Sequence, residues 1–99
     1  MTINKTQDKG KLTITLDGKL DATTAPELQD VLIPAFDDAK EIVLDFEKLN
    51  YIASAGLRVL LAGHKKSFAK DVPMKIINVS EDITEIFHMT GFASILSIM

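Results

Sequence analysis

EIVLDF (Glu41–Phe46) and LNYIASAGLRVLL (Leu49–Leu61) decide how this chain folds. The first is a dense β-branched and aliphatic run bounded by charge. It reads as a central strand buried on both faces, as a parallel sheet requires. The second starts strand-like, stops at Ser54 between two alanines and a glycine, then resumes as an oily helix. Leu57, Leu60, Leu61, His64 and Phe68 fall at helical spacing, which predicts a helix of about a dozen residues.

The same alternation extends outward in both directions. Upstream, KLTITL (Lys11–Leu16) sets Leu12, Ile14 and Leu16 on one face and Lys11, Thr13 and Thr15 on the other, a half-exposed strand. Thr2–Thr6 is its expected hairpin partner across the Asp8–Gly10 turn. Asp17-Gly18 reads as a turn or a bulge, because extended sequence continues after it. Thr24 with Glu27 matches a capping box, and Pro26 suits a first helical turn. Leu28, Val31, Leu32 and Ala35 form one apolar stripe, which Pro34 should kink or shorten. Downstream, Pro73–Val79 is a strand, and Ser80 caps a helix with Ile83, Ile86 and Phe87 inward. Gly91 stops that helix, and Ile95, Leu96 and Ile98 read as a last strand. The order is β-β-α-β-α-β-α-β, an α/β fold with a small mixed sheet and helices packed against it.

Ninety-nine residues hold one core, so residues 1–99 are expected to form a single domain. Eleven basic residues against fourteen acidic ones leave a net charge of -3, which gives no electrostatic case for direct binding of nucleic acid. No apolar run approaches the roughly 20 residues that span a bilayer, and no apolar leader opens the chain, so no membrane insertion is expected. The absence of cysteine excludes thiolate chemistry and disulfides. These features point to the cytoplasm.

Catalytic signatures are sparse. GxGxxG, P-loop, HExxH and CxxC patterns are missing, so no cofactor or metal is expected. His64 and His88 lie on different predicted helices without ligand spacing. Ser54 lacks the glycine of a nucleophile elbow and has no base nearby in sequence. Residues just past strand carboxyl ends gather at one edge of a parallel sheet, which brings Asp21 and Ser54 together there; Asp45 sits earlier in its strand. Two readings of Ser54 follow. As an N-cap, its oxygen accepts from the Leu57 N–H or a neighbour, for roughly 1 kcal/mol. As a phosphoacceptor, it receives about -1.5 to -2 charges at the positive end of a helix, with small neighbours that leave the hydroxyl reachable.

Three motifs resemble the STAS domain family, specifically the bacterial anti-sigma factor antagonists. Tyr51-Ile52 followed by Ala53-Ser54-Ala55-Gly56-Leu57 resembles the phosphoserine signature. Gly18-Lys19-Leu20-Asp21 resembles the Gly-x-hydrophobic-Asp element, and Ile86–Ile98 resembles the late helix, glycine and aliphatic strand. The resemblance implies that Ser54 is the phosphoacceptor. It also implies that Asp21, Thr23, Ala53, Ala55, Gly56, Leu57 and Arg58 surround it and bind partners. The implied partners are an anti-sigma factor with serine kinase activity and a PP2C-type phosphatase, with the chain as ligand and substrate, not an enzyme. The same fold also serves as a non-catalytic interaction module in signalling or lipid-transport complexes. Two departures stand out. Ala53 occupies a position where antagonists often carry Asp, and residues 1–99 are expected to stop short of the further C-terminal helix usual in the family, whether it is trimmed or never present.

Overall fold

The computed structural model describes all residues, Met1–Met99. Strands β1 (Thr2–Asp8) and β2 (Lys11–Leu20) form the expected antiparallel hairpin, closed with Asp8 opposite Lys11. Lys9 and Gly10, at φ 52° and 88°, supply the two left-handed residues that a tight hairpin turn demands. Helix α1 (Ala25–Ala35) then crosses to β3 (Glu41–Ile52), and α2 (Ser54–Lys70) crosses to β4 (Met74–Ile77). Both crossovers create parallel pairs, giving a mixed sheet in the order β1-β2-β3-β4.

β3 runs well beyond Phe46, where alternation in the sequence stops. Its inward residues after that point are Phe46, Leu49 and Ile52, spaced by three. The register explains the spacing: Thr15 and Asp17 face Asp45 and Lys48, and Gly18 and Lys19 face Leu49 and Tyr51. Each step inserts one extra residue into β3, so two bulges carry the strand onward to Ile52. The Asp17-Gly18 segment is therefore bulged sheet rather than turn, with Gly18 at φ 121°.

One core lies between the sheet and its helices. Ile14, Leu16, Ile42, Leu44, Phe46 and Ile76 meet Leu28 and Leu32 of α1, Leu57 and Leu60 of α2, and Ile83 and Phe87 of helix α3 (Glu81–Thr90). The other sheet face carries Thr13, Thr15, Asp45 and Lys75, none of them buried. Only Val43 is buried there, between Thr13 and Lys75, so the reading of EIVLDF as covered on both faces holds at that residue alone.

Local signals fared unevenly. Ser80 caps α3 as expected, its Oγ accepting from the Ile83 N–H at 3.2 Å, and Gly91 ends it at φ 82°. The capping box at Thr24 does not form: Thr24 Oγ1 accepts the Asp21 N–H at 2.9 Å, rather than an N–H of the first helical turn, and donates to the Lys19 carbonyl at 2.8 Å. Pro34 is accommodated inside α1, which stops one residue later at Ala35. α2 is longer than expected, and its buried side is Gly56, Leu57, Val59, Leu60 and Gly63. Phe68 lies off that side, 76% exposed, with its ring edge-on to His64 at 4.9 Å. The expected last strand is reduced to one parallel bridge between Ile98 and Ile76. A 3₁₀ turn over Phe92–Ser94 consumes the chain first, and Leu96 plugs the core, so only Ser97–Met99 reach the β4 edge.

Candidate functional site

The carboxyl ends of β2 and β3 are tied together. Leu20 pairs with Ile52, and the Ala53 N–H donates to the Leu20 carbonyl at 2.9 Å. The segments that leave these strands, Asp21–Thr24 and Ala53–Ser54, therefore emerge side by side, with the strands about 4.8 Å apart. Asp45 does not join them. It pairs with Ile77 at the end of β4, where its Oδ1 accepts from Asn78 Nδ2 and the Glu47 N–H, each at 3.0 Å. Its carboxylate anchors the left-handed exit at Asn78 (φ 57°).

Asp21 organises the start of α1. Its Oδ1 accepts the N–H groups of Thr23 and Thr24 at 3.0 and 3.1 Å, while its own N–H donates to Thr24 Oγ1 at 2.9 Å. The Thr24 N–H is the main reason its carboxyl is more acidic than usual, with smaller help from the Thr23 N–H, the Thr24 hydroxyl and the Lys19 charge. A folded-state value below the ordinary 3.8 means that this carboxylate stabilises the fold fully above that value. The contribution disappears as pH falls through the lowered folded value. Urea unfolding of Asp21→Asn should accordingly show lower stability than wild type at pH 7. The gap should close below pH 3.8, and a gap independent of pH would assign Asp21 a purely steric role.

Ser54 is not the N-cap. Ala53 holds that position with extended φ and ψ of -108° and 174°, and its carbonyl accepts the Gly56 and Leu57 N–H groups at 2.9 and 3.1 Å. The bond from Ala53 to Leu20 fixes Ala53 as the last extended residue, which moves Ser54 into the first helical position. From there its hydroxyl caps nothing and makes no hydrogen bond within the chain, and the residue is exposed. No histidine or carboxylate hydrogen-bonds to it, so the hydroxyl is unpaired within the chain.

The small residues beside it divide into two roles. Ala53 and Ala55 are partly exposed and leave the approach to Ser54 low. Gly56 is buried, and its smallness serves packing rather than access. A Cβ there would lie 2.6 Å from Leu20 Cγ and 3.1 Å from Ile52 Cγ1. Leu57 is buried beneath the first turn, whereas Arg58 and Thr23 are exposed on its surroundings. The structure adds Tyr51, 48% exposed and paired with Lys19 at the same edge. Its outward position follows from the second bulge, which sequence periodicity conceals.

The region is a surface, not a cavity. One cleft of about 430 Å³ lies between the hairpin and α1, floored by Leu12 and Val31, and another of about 340 Å³ borders α3 at Val79 and Glu85. Neither includes Ser54. Small-molecule sites are usually concave and largely preformed, so this geometry suits recognition by a macromolecule. No helix is long and apolar enough to cross a membrane.

Comparison with known proteins agrees with this architecture. The STAS domain family model matches residues 2–99. The chain is 32% identical over 94 residues to the anti-sigma-B factor antagonist of Staphylococcus aureus, covering 94% of this chain and 86% of that protein. Among solved structures, an anti-sigma factor antagonist from Mycobacterium paratuberculosis superposes with a TM-score of 0.87 at 21% identity, covering 98% of this chain and 83% of that one. The Bacillus cell fate determinant SpoIIAA in its phosphorylated form gives 0.78 at 18% identity, covering 99% and 91%.

Proposed function

The chain belongs to the STAS domain family, and from that premise we propose that it is an anti-sigma factor antagonist switched by phosphorylation of Ser54. Unphosphorylated, it binds an anti-sigma factor that is also a serine kinase, and so frees the sigma factor. The kinase transfers the γ-phosphoryl group of ATP to Ser54 Oγ. An O–P bond forms, the bridging bond to ADP breaks, and the hydroxyl proton passes to a base on the kinase. The added charge ends the complex, and a PP2C-type phosphatase restores the hydroxyl by hydrolysis. The chain is ligand and substrate throughout.

The observation that carries this reading is the Ser54 hydroxyl itself: exposed, without a hydrogen bond in the chain, and raised at the first position of a long helix. A cap would tie that oxygen to the backbone, and here the backbone is served by Ala53. Asp21 and Thr23 on the neighbouring loop, and Ala53, Ala55 and Arg58 around the serine, form the surface a partner would meet, with Gly56 and Leu57 supporting it from below. Ala53 removes a negative charge that many antagonists carry beside the serine, which makes this surface less acidic.

The test is incubation with the anti-sigma kinase that the chain binds in a pull-down from its own cells, with ATP, followed by mass-spectrometric mapping. One phosphate at Ser54 is expected, and none in Ser54→Ala. Transfer to another residue, or no transfer under conditions where the kinase modifies its own antagonist, would refute the switch.

A further inference from the structure

Arg58 lies one helical turn beyond Ser54. Four residues of α-helix advance about 6 Å and return to within about 40° of the same direction, which sets the two Cβ atoms roughly 5–6 Å apart. The rotation of α2 is not free. Gly56 lies against Leu20 and Ile52, and Leu57 and Leu60 are buried, so Ser54 and Arg58 both face outward. The guanidinium is also uncommitted. The two ion pairs of the chain are Lys70 with Asp37 and Lys75 with Glu41, and α2 holds Arg58, Lys65, Lys66 and Lys70 without a single acidic residue.

We propose that Arg58 is the internal counter-ion of phosphorylated Ser54, folding onto the phosphate as soon as it is installed. This rests on the reading of Ser54 as the phosphoacceptor and adds the regulation of that site. An arginine fork matches two phosphate oxygens at once, and such charge-assisted bonds are the strong ones. The other charged groups at this end of the sheet direct the phosphate the same way. Asp21, held ionised by the Thr23 and Thr24 N–H groups, repels it from the β2–α1 side. Lys19, next but one to Asp21 and acting on it only through weak charge attraction, sits on the strand side of the edge rather than on the helix that carries Ser54.

Phosphorylation then changes the surface twice. It adds negative charge at Ser54, and it withdraws the free cation that the unmodified protein offers to a carboxylate on its partner. A partner selected by Arg58 loses its contact even where the phosphate itself is tolerated.

The experiment uses the full chain with phosphoserine inserted at position 54 during translation, so that no kinase is needed. The ³¹P resonance is titrated in wild type, Arg58→Ala and Arg58→Lys. A free phosphoserine loses its second proton near pH 6. In the wild-type chain that midpoint should lie roughly 0.15–0.4 below its value in Arg58→Ala. Arg58→Lys should recover about half of the difference, because an ammonium supplies charge without the fork. The Arg58 Nε–H resonance should move on phosphorylation in the wild type. Midpoints within about 0.1 of each other, or an unmoved Nε–H, would overturn the pairing. A kinase that ignores Ser54 would refute the proposed switch and leave this titration unaffected.

Discussion

Phosphorylation of Ser54 is expected to weaken binding to the anti-sigma factor by about 100-fold or more, while leaving the melting temperature unchanged or slightly raised. The two halves of this expectation have separate causes. At an interface, a serine hydroxyl needs one hydrogen bond, which is worth about 1 kcal/mol net. Taking a phosphate, even one paired with Arg58, out of water at the same point costs about 3–5 kcal/mol unless the partner supplies matching groups, and each 1.4 kcal/mol is tenfold in affinity. Ser54→Ala should therefore bind within about fivefold of wild type, and Ser54→Asp, with one charge, should fall between. Within the chain the sign reverses. Ser54 occupies the first helical position, where the unpaired N–H groups of the helix start favour an anion by about 0.3–1 kcal/mol. Calorimetric binding and thermal unfolding of the same phosphorylated sample check both. Phosphorylated protein that binds within threefold of the unmodified form would end the charge-switch explanation. A melting point lowered by ten degrees would instead mean that the switch works by loosening the fold.

The features legible in the sequence were those decided by neighbours in the chain. The Asp8–Gly10 turn, the alternation of Lys11–Leu16, the Ser80 cap and the Gly91 stop all depend on residues within a few positions, and the structure has each of them. The failures were decided across the sheet. β3 was legible as two strand-like runs, one ending at Phe46 and one leading to Ser54, but not as one strand, because two bulges, set by pairing with β2, turn a period of two into a period of three. Ser54 looked like a cap because nothing local shows that Leu20 claims the Ala53 N–H. Thr24 looked like a cap for a similar reason, its hydroxyl oxygen being turned back to accept the Asp21 N–H while its proton goes to the Lys19 carbonyl. The placement of Asp21 beside Ser54 was recoverable, since parallel strands put their carboxyl ends on one edge. Exclusion of Asp45 needed the length of β3 and the early end of β4.

Gly56 shows what that cross-sheet control costs to disturb. Replacing a helical glycine with alanine normally stabilises a helix, by about 1 kcal/mol. At Gly56 the opposite is expected: Gly56→Ala should lose about 1–3 kcal/mol, a fall in melting temperature of roughly 5–20 °C. The added methyl meets Leu20 Cγ at 2.6 Å, a branch atom of a fully buried side chain, with Leu20 Cδ2 at 2.9 Å and Ile52 Cγ1 at 3.1 Å closing the other directions. None of these is the loose end of an exposed chain, so relief requires α2 to lift from the ends of β2 and β3. Gly63 supplies the control. Its added methyl meets Leu32 Cδ2 at 2.8 Å and Met74 Sδ at 3.1 Å; both residues are buried too, but the atoms met are a terminal methyl and a thioether sulfur rather than a branch carbon, so a smaller side-chain rotation relieves the contact. Gly63→Ala should therefore cost less than Gly56→Ala under the same denaturant titration. The lift has a second consequence, because the turn that moves is the one bearing Ser54. In Gly56→Ala, phosphorylation of Ser54 should slow even at a temperature where the variant is fully folded, whereas in Gly63→Ala it should proceed at the wild-type rate. A Gly56→Ala protein more stable than wild type would show that the first turn of α2 is not seated on Leu20 and Ile52, and the positioning of Ser54 by those strand ends would fall with it.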